Sequence, residues 1–118
     1  MTLREIQELL DAEILCGWEF LDKKIESVFA SDLMSDVLAF ANEKTLLLTG
    51  LVNAHTIRTA EMLDISAIVF VRGKKPDEET LELAKENKMV IMSTKHIMYV
   101  SSGILYTNNL KGASLPKK

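Results

Sequence analysis

Short apolar runs alternate with amphipathic stretches along this chain. Three runs are almost entirely apolar and end at a glycine or a polar residue, namely 45–49 (TLLLT), 67–71 (AIVFV) and 89–92 (MVIM). Their first residues fall at positions 45, 67 and 89, which is an even spacing. Apolar strands that alternate with helices are typical of a parallel sheet covered on both faces. The pattern therefore predicts consecutive strand–helix units.

Helical patterns occupy the intervals between these runs. The first begins at Thr2, which together with Glu5 has the spacing of a capping box. Ser31 and Asp32 are predicted to cap a second helix that ends near Asn42. Further helices are predicted over 55–63, 78–86 and 95–105, and further short strands over 14–16 and 24–30. Right-handed crossovers between such strands give a three-layer α/β/α fold with a mostly parallel sheet of about five strands.

Length and composition agree with one globular domain. The chain has 118 residues, of which 47% are hydrophobic and 26% are charged, close to the averages for folded domains. A single domain is predicted over residues 1–112. Residues 113–118, which include Pro116, Lys117 and Lys118, are predicted to form a polar tail.

Charge and cysteine content narrow the functional classes. The formal net charge of −3 argues against nucleic-acid binding through a basic face. The single cysteine, Cys16, has no partner for an internal disulfide, which favours a reducing cytoplasm. Free cysteine is among the most buried residue types, so Cys16 is predicted to be a buried structural residue. The first residues include acids where a signal peptide would be basic and then apolar, and no apolar run reaches the roughly 18–20 residues of a membrane span. We therefore expect a cytoplasmic protein with no membrane partner.

Three turns follow the apolar strands and are predicted to form a ligand site. In open α/β sheets, ligands bind outside the carboxyl ends of the strands, and helix N-termini there favour anions. These turns also contain four basic residues that would add positive charge for a phosphate or carboxylate, namely Arg72, Lys74, Lys75 and Lys95. The candidate ligand-binding residues are Thr49, Gly50, Asn53, His55, Arg72, Gly73, Lys74, Thr94, Lys95 and His96.

The same residue types have a structural interpretation that stays open at this point. Threonine, asparagine and aspartate cap helices, and glycine forms tight turns, without any ligand. His55 and His96 both open predicted helices, so they could form a pH-sensitive pair or be ordinary surface residues. No well-spaced third ligand or second cysteine accompanies them, so no metal site is predicted.

Familiar catalytic motifs are missing from the sequence. It contains no G-x-x-x-x-G-K-[ST] phosphate loop, no G-x-G-x-x-G dinucleotide turn and no G-x-S-x-G nucleophile elbow. We therefore predict no catalytic residues and no cofactor. Phosphoryl transfer would need a nucleotide held with its metal and a positioned base, and the sequence identifies no such set.

Several segments together resemble one family. They are 30–39 (ASDLMSDVLA), 47–51 (LLTGL), 58–63 (RTAEML), 68–74 (IVFVRGK), 76–79 (PDEE), 93–95 (STK) and 103–106 (GILY). Over about residues 1–112 the chain resembles stand-alone DRTGG-domain proteins and is similar to the N-terminal domain of HPr kinase/phosphorylase. No literal DRTGG string is present, and Thr49–Gly50 is the nearest equivalent. The kinase's phosphate loop is also absent, so the resemblance does not imply kinase activity.

The resemblance implies a regulatory role, because such domains also occur beside CBS domains in regulated pyrophosphatases. We predict a non-catalytic module that senses a partner protein or a small ligand, either phosphorylated or an adenine nucleotide. The alternative is a small kinase-like or phosphate-handling enzyme subunit.

A homodimer is expected, since two-fold dimers are the commonest oligomers. The last predicted helix offers a face for it at Tyr99, Gly103 and Tyr106. That face lies opposite a predicted core stripe of Ile97, Val100 and Ile104. The alternative is that this helix is buried on both sides.

Overall fold

The computed structural model describes residues 1–114. Six strands form its sheet: β1 (Glu13–Cys16), β2 (Ser27–Ala30), β3 (Thr45–Thr49), β4 (Ala67–Phe70), β5 (Val90–Ser93) and β6 (Lys111–Gly112). Five α-helices flank it: α1 (Leu3–Leu10), α2 (Met34–Phe40), α3 (Ala54–Met62), α4 (Glu78–Glu86) and α5 (Met98–Thr107). A single 3₁₀ turn covers Trp18–Phe20. The predicted α/β class is confirmed.

The sheet has the strand order β1-β5-β4-β3-β2-β6. Strands β2 to β6 are parallel to one another, whereas β1 runs antiparallel to its neighbour β5. The sixth strand exceeds the expected number because β6 has only two residues, too few for a hydrophobic pattern. The order places β3, β4 and β5 side by side, so their carboxyl ends form one continuous edge.

Two apolar cores lie on opposite faces of the sheet. Successive residues of a strand point to opposite faces, so Leu46 and Leu48 belong to one core and Leu47 to the other. The first core packs against α1 and α5, and the second against α2, α3 and α4. Burial on both faces explains why β3, β4 and β5 are almost entirely apolar, with polar residues only at strand ends.

The start of the predicted second helix is wrong. Helix α2 begins at Met34, and its N-cap is Leu33, which forms no side-chain capping bond. The Ser31 hydroxyl accepts a hydrogen bond from the Leu33 N–H, so it stabilises the turn before the helix. The Asp32 carboxylate instead reaches the neighbouring strand, as described below. An aspartate can cap a helix or accept hydrogen bonds from a neighbouring strand. The sequence pattern around Asp32 therefore does not distinguish these two roles.

The predicted core stripe of the last helix is wrong at Ile97 and Val100, whereas Ile104 is half-buried and packs against the first core. Helix α5 begins at Met98 rather than Lys95, because residues 94–97 are used by the turn after β5. Its buried residues are Ser101 and Leu105, while Ile97 and Val100 are 52% and 40% exposed. The segment contains no charged residue, so its apolar positions do not mark one face. The helix is exposed on the side opposite its buried residues.

The second predicted strand differs from expectation at its start. It begins at Ser27 rather than Lys24. Ile25 donates its N–H to the Met1 carbonyl, and pairing with β3 starts only at Ser27. The Ala113 N–H donates to the Val28 carbonyl, so the chain is still bound to the sheet there. The predicted tail residues 115–118 lie outside the described residues. Within residues 1–114, no helix has the length and apolarity that crossing a membrane requires.

Cys16 lies inside the second core. It is 2% exposed, and its thiol donates to the Met89 carbonyl oxygen at 3.4 Å. Burial raises the pKa of this thiol, which disfavours the reactive thiolate. The prediction that Cys16 is a buried structural residue is confirmed.

Candidate ligand-binding site

The turns that follow β3, β4 and β5 are joined by backbone hydrogen bonds. The Val71 N–H donates to the Thr49 carbonyl at 3.0 Å, which ties the second turn to the end of β3. The Arg72 N–H donates to the His96 carbonyl at 2.9 Å, and the Gly73 N–H donates to the Thr94 carbonyl at 2.8 Å. Because the three strands are neighbours, turns that are far apart in sequence form one surface.

The middle turn holds Arg72 in an unusual backbone conformation. Arg72 and Gly73 have φ angles of 61° and 68°, and the Lys74 N–H donates back to the Val71 carbonyl at 3.2 Å. Two successive positive φ angles are those of a type I′ turn. Glycine adopts this region freely, whereas most other residues lose roughly 1–2 kcal/mol there. The fold therefore keeps a strained arginine at a position where asparagine or glycine would be less strained.

The side chain of Arg72 lies over Gly50. A β-carbon added to Gly50 would be 2.7 Å from Nη2 of Arg72, closer than real contacts allow. The backbone of Gly50 is buried, whereas Arg72, whose side chain lies over it, is exposed. The absence of a side chain at position 50 thus lets the guanidinium lie close to the backbone at the end of β3.

The guanidinium of Arg72 has no acceptor among residues 1–114. None of their carboxylates lies within 4.0 Å of it, and it donates no hydrogen bond to them. Lys75, three residues later, is by contrast paired with Glu13 at 3.0 Å. Arg72 therefore presents its planar set of N–H donors to solvent beside Lys74, which is also exposed.

Asp32 belongs to this site, and sequence reasoning missed its role. Its Oδ1 accepts a hydrogen bond from the Gly50 N–H at 2.7 Å and another from the Thr49 hydroxyl at 2.8 Å. The Gly50 N–H is the main cause that lowers the pKa of Asp32, and the charges of Arg72 and Lys74 add to it. The signal that could have found it is its position, since Asp32 follows β2, the strand beside β3.

Three of the predicted site residues have side chains engaged within the fold. Asn53 accepts from the Thr56 N–H at 3.1 Å and caps α3. Thr94 is buried, and its hydroxyl donates to the Leu10 carbonyl at 2.8 Å. Thr49 donates to Asp32 and also accepts from the Leu51 N–H. These contacts stabilise the turns rather than leaving donors for a ligand.

The remaining predicted residues are a lysine and two histidines. Lys95 and His55 are exposed, and His96 is half-buried. Neither imidazole forms a hydrogen bond with a described residue, and the contribution of His96 to the site is its backbone carbonyl. Within the described part of the chain, no group of three or more histidine, cysteine, aspartate or glutamate side chains is placed to hold a metal ion.

We expect Asp32→Asn to lower the free energy of unfolding by about 1 kcal/mol at neutral pH, since charge-assisted hydrogen bonds are strong but exposure screens this one. The folded pKa of Asp32 is depressed below its ordinary value of 3.8, so its stabilising effect is present above that pH. It is lost as the pH falls through the folded pKa. Urea denaturation at several pH values should therefore show the two stability curves converging in acid.

The matched control is Asp22→Asn. Asp22 is highly exposed, and its ion pair with Arg4 spans 3.3 Å on the surface. We expect this variant to differ little from the wild type at any pH. An Asp32→Asn deficit that stays constant down to acid pH would contradict the lowered pKa of Asp32.

Comparison with known proteins identifies the family. The model of the DRTGG domain matches residues 5–107. A similar solved structure contains the CBS and DRTGG domains of the regulatory region of Clostridium perfringens pyrophosphatase, complexed with the activator diadenosine tetraphosphate. The TM-score is 0.70 at 24% identity, and the match covers 88% of this chain and 45% of that one. At that identity the likeness concerns the fold, and this chain spans less than half of the other.

No curated protein matches the chain. The family match nevertheless extends over α1 to α5 and includes all three turns of the site, together with Asp32. The chain belongs to the DRTGG domain family.

Proposed function

We propose that this DRTGG domain is a non-catalytic regulatory module that binds a small phosphorylated ligand at Arg72. The observation that carries the proposal is the guanidinium of Arg72, which lies over Gly50 and has no acceptor among the described residues. The proposal also includes a cytoplasmic location, homodimer formation and a likeness to the N-terminal domain of HPr kinase/phosphorylase. A partner protein is the alternative to a small ligand.

Arginine chemistry favours a ligand with paired anionic oxygens, and a phosphate is one such group. The guanidinium presents parallel N–H donors that match two oxygens of a phosphate or carboxylate. Lys74 adds a second positive charge on the same turn, and the turn lies at the carboxyl edge of the sheet, where ligands of α/β folds bind.

Asp32 limits how the phosphate binds. Its carboxylate already takes the Gly50 N–H, so a phosphate either meets the outer side of the Arg72 guanidinium or displaces Asp32 from the turn. In both cases the negative charge of Asp32 opposes the ligand. The Asp32→Asn variant described above should therefore bind phosphate more tightly than the wild type does.

Nucleotides are the first phosphorylated ligands to test. The pyrophosphatase regulatory region named above is complexed with a dinucleoside tetraphosphate activator, and this chain shares the fold of part of that region. That region contains CBS domains as well as a DRTGG domain. Its activator therefore makes nucleotides worth testing here but assigns no particular nucleotide to this chain. The arginine site itself requires only the phosphate.

Isothermal titration calorimetry of the whole chain with inorganic phosphate, AMP, ATP and diadenosine tetraphosphate tests the proposal. We expect at least one of the nucleotides to bind, to raise the melting temperature and to bind more weakly as salt increases. Absence of binding by all four probes at millimolar concentration would overturn it. Steady hydrolysis of ATP that disappears on substitution of Arg72 would favour the enzyme alternative instead.

Gly50→Ala should weaken phosphate binding several-fold without removing any charge. The added methyl group would lie 2.7 Å from Nη2 of Arg72, so the flexible end of that side chain must move away. The φ angle of Gly50 is not in the positive range, so the backbone should tolerate alanine. Titration with the strongest-binding nucleotide measures the loss.

The same substitution in an Arg72→Asn background is the control. In that background Nη2 of Arg72 is absent, so the added methyl group has no guanidinium to displace. We expect Gly50→Ala to cause no further loss of affinity there. Equal affinity of Gly50→Ala and wild type would mean that the position of the Arg72 guanidinium is unimportant for the ligand.

A further inference from the structure

Asp32 and Arg72 both lie against Gly50 without forming an ion pair. Oδ1 of Asp32 is 2.7 Å from the Gly50 nitrogen, and Nη2 of Arg72 is 2.7 Å from the place of a β-carbon on the same residue. Those two positions on Gly50 are about 2.5 Å apart, so the two charged groups lie within roughly 8 Å of each other. They are nevertheless more than 4.0 Å apart, since no ion pair joins them.

Each of the two groups keeps hydrogen-bonding capacity that the fold does not use. Oδ1 of Asp32 accepts from Gly50 and Thr49, whereas Oδ2 accepts no hydrogen bond from residues 1–114. Asp32 is exposed, and its lowered pKa keeps it ionised near neutral pH, so Oδ2 acts only as an acceptor. The guanidinium of Arg72 is likewise unpaired among those residues. The site therefore offers donors for an anion and, beside them, a free acceptor.

We propose that the ligand is a ribose phosphate, such as a ribonucleotide, whose phosphate binds Arg72 while a ribose hydroxyl donates to Oδ2 of Asp32. This inference rests on the proposed function. It places the phosphate on the outer side of the guanidinium and leaves Asp32 bound to Gly50. Ribose phosphates carry an anion and hydroxyl donors a few bonds apart. A carboxylate that accepts a ribose hydroxyl near a phosphate site is a known arrangement at the carboxyl ends of parallel strands.

Charge favours a hydroxyl over a cationic group as the partner of Oδ2. Arg72 and Lys74 are close enough for their positive charges to lower the pKa of Asp32. The same charges would repel an ammonium group or a metal ion, whereas a hydroxyl is neutral. Within the described part of the chain, Asp32 also belongs to no group of three or more side chains that could hold a metal.

Asp32 should therefore affect two kinds of ligand in opposite ways. Its charge opposes inorganic phosphate, but a hydrogen bond from a hydroxyl offsets this repulsion for a ribose phosphate. Hydrogen bonds to charged groups are strong, although exposure weakens this one. We expect AMP to bind roughly five- to tenfold more tightly than dideoxyadenosine monophosphate, which keeps the base and the phosphate but lacks both ribose hydroxyls.

Calorimetric titration of the full chain with these two nucleotides, in the absence of divalent cations, tests the inference. In Asp32→Asn, the amide oxygen can still accept from the Gly50 N–H, but a nitrogen that cannot accept replaces the second oxygen. We expect this variant to bind the two nucleotides equally. Its affinity for inorganic phosphate should rise, so a general loss of binding would not account for the result. Circular dichroism checks that the variant folds.

Asp22→Asn is the matched control, because it removes the same charge from an exposed pair with Arg4. It should keep the preference for AMP. The inference is overturned, while the proposed function stands, if the wild type binds both nucleotides equally and Arg72→Asn weakens both. It is also overturned if Asp32→Asn keeps the preference or if Asp22→Asn loses it. Absence of binding by phosphate and by every nucleotide would overturn the proposed function and this inference together.

Discussion

Replacing Arg72 with asparagine is expected to weaken nucleotide binding by roughly ten- to a hundredfold. The substitution removes charge-assisted hydrogen bonds to phosphate worth about 1.5–3 kcal/mol, and each 1.4 kcal/mol is a tenfold change in affinity. Asparagine tolerates the positive φ angle of this position better than arginine does. The free energy of unfolding should therefore stay the same or rise slightly, which separates binding from stability. Calorimetric titration and thermal melts measure the two effects.

Two companion variants show whether this effect belongs to Arg72. Lys75→Asn removes a charge of the same sign from the next part of the loop, where the lysine is already paired with Glu13. We expect it to leave affinity nearly unchanged. Arg72→Lys keeps the charge but loses the planar pair of donors, so its affinity should fall between those of wild type and Arg72→Asn. Equal losses for Lys75→Asn and Arg72→Asn would indicate attraction to overall charge rather than a site.

Gly17→Ala is expected to lower the free energy of unfolding by about 3 kcal/mol or more, because left-handed strain and overpacking add. Gly17 has a φ angle of 88°, and a β-carbon there would be 2.7 Å from both the Met89 carbonyl oxygen and the Val90 α-carbon. Both are backbone atoms at the start of β5, in the interior of the sheet, so neither can move away as a flexible side chain could. Urea denaturation measures the loss.

Gly73→Ala separates the two contributions to that loss. Gly73 has a φ angle of 68°, also in the left-handed region, but no atom lies within 4 Å of its missing β-carbon. It should therefore lose only the roughly 1–2 kcal/mol of backbone strain. If the two alanine variants lost the same stability, the contact of Gly17 with β5 would have no energetic effect.

The sheet was predictable because its strands are buried on both faces. Continuous apolar runs such as 67–71 are too short to span a membrane and too uniformly apolar for a surface helix, and they located β3, β4 and β5. Strand order was not predictable, since it depends on contacts between residues far apart in sequence. Strand β6 was not predictable because two residues are too few to show a hydrophobic pattern. The buried face of α5 was not predictable because the helix has no charged residues that would mark its exposed side.

The candidate site was predictable only in its location. The ends of parallel strands identified the turns that contain Gly50 and Arg72, and the structure brings those turns together. Asp32 was interpreted as a helix cap, because an aspartate before a helical pattern usually is one. Its partner became apparent only once β2 was seen to lie beside β3. Likewise, the position of the Arg72 side chain over Gly50 depends on a turn conformation that sequence spacing does not specify.

The hydrogen bond from the Arg72 N–H to the His96 carbonyl connects two parts of the molecule that have been treated separately. His96 lies two residues before α5 begins, and α5 carries the face expected for a homodimer. A ligand that alters the backbone at Arg72 must either break this 2.9 Å bond or shift the entry to α5. If the ligand thereby changes the dimerisation constant, thermodynamic reciprocity requires dimerisation to change the ligand's affinity by the same factor. Ligand concentration and protein concentration would then both shift the same equilibrium between one chain and two.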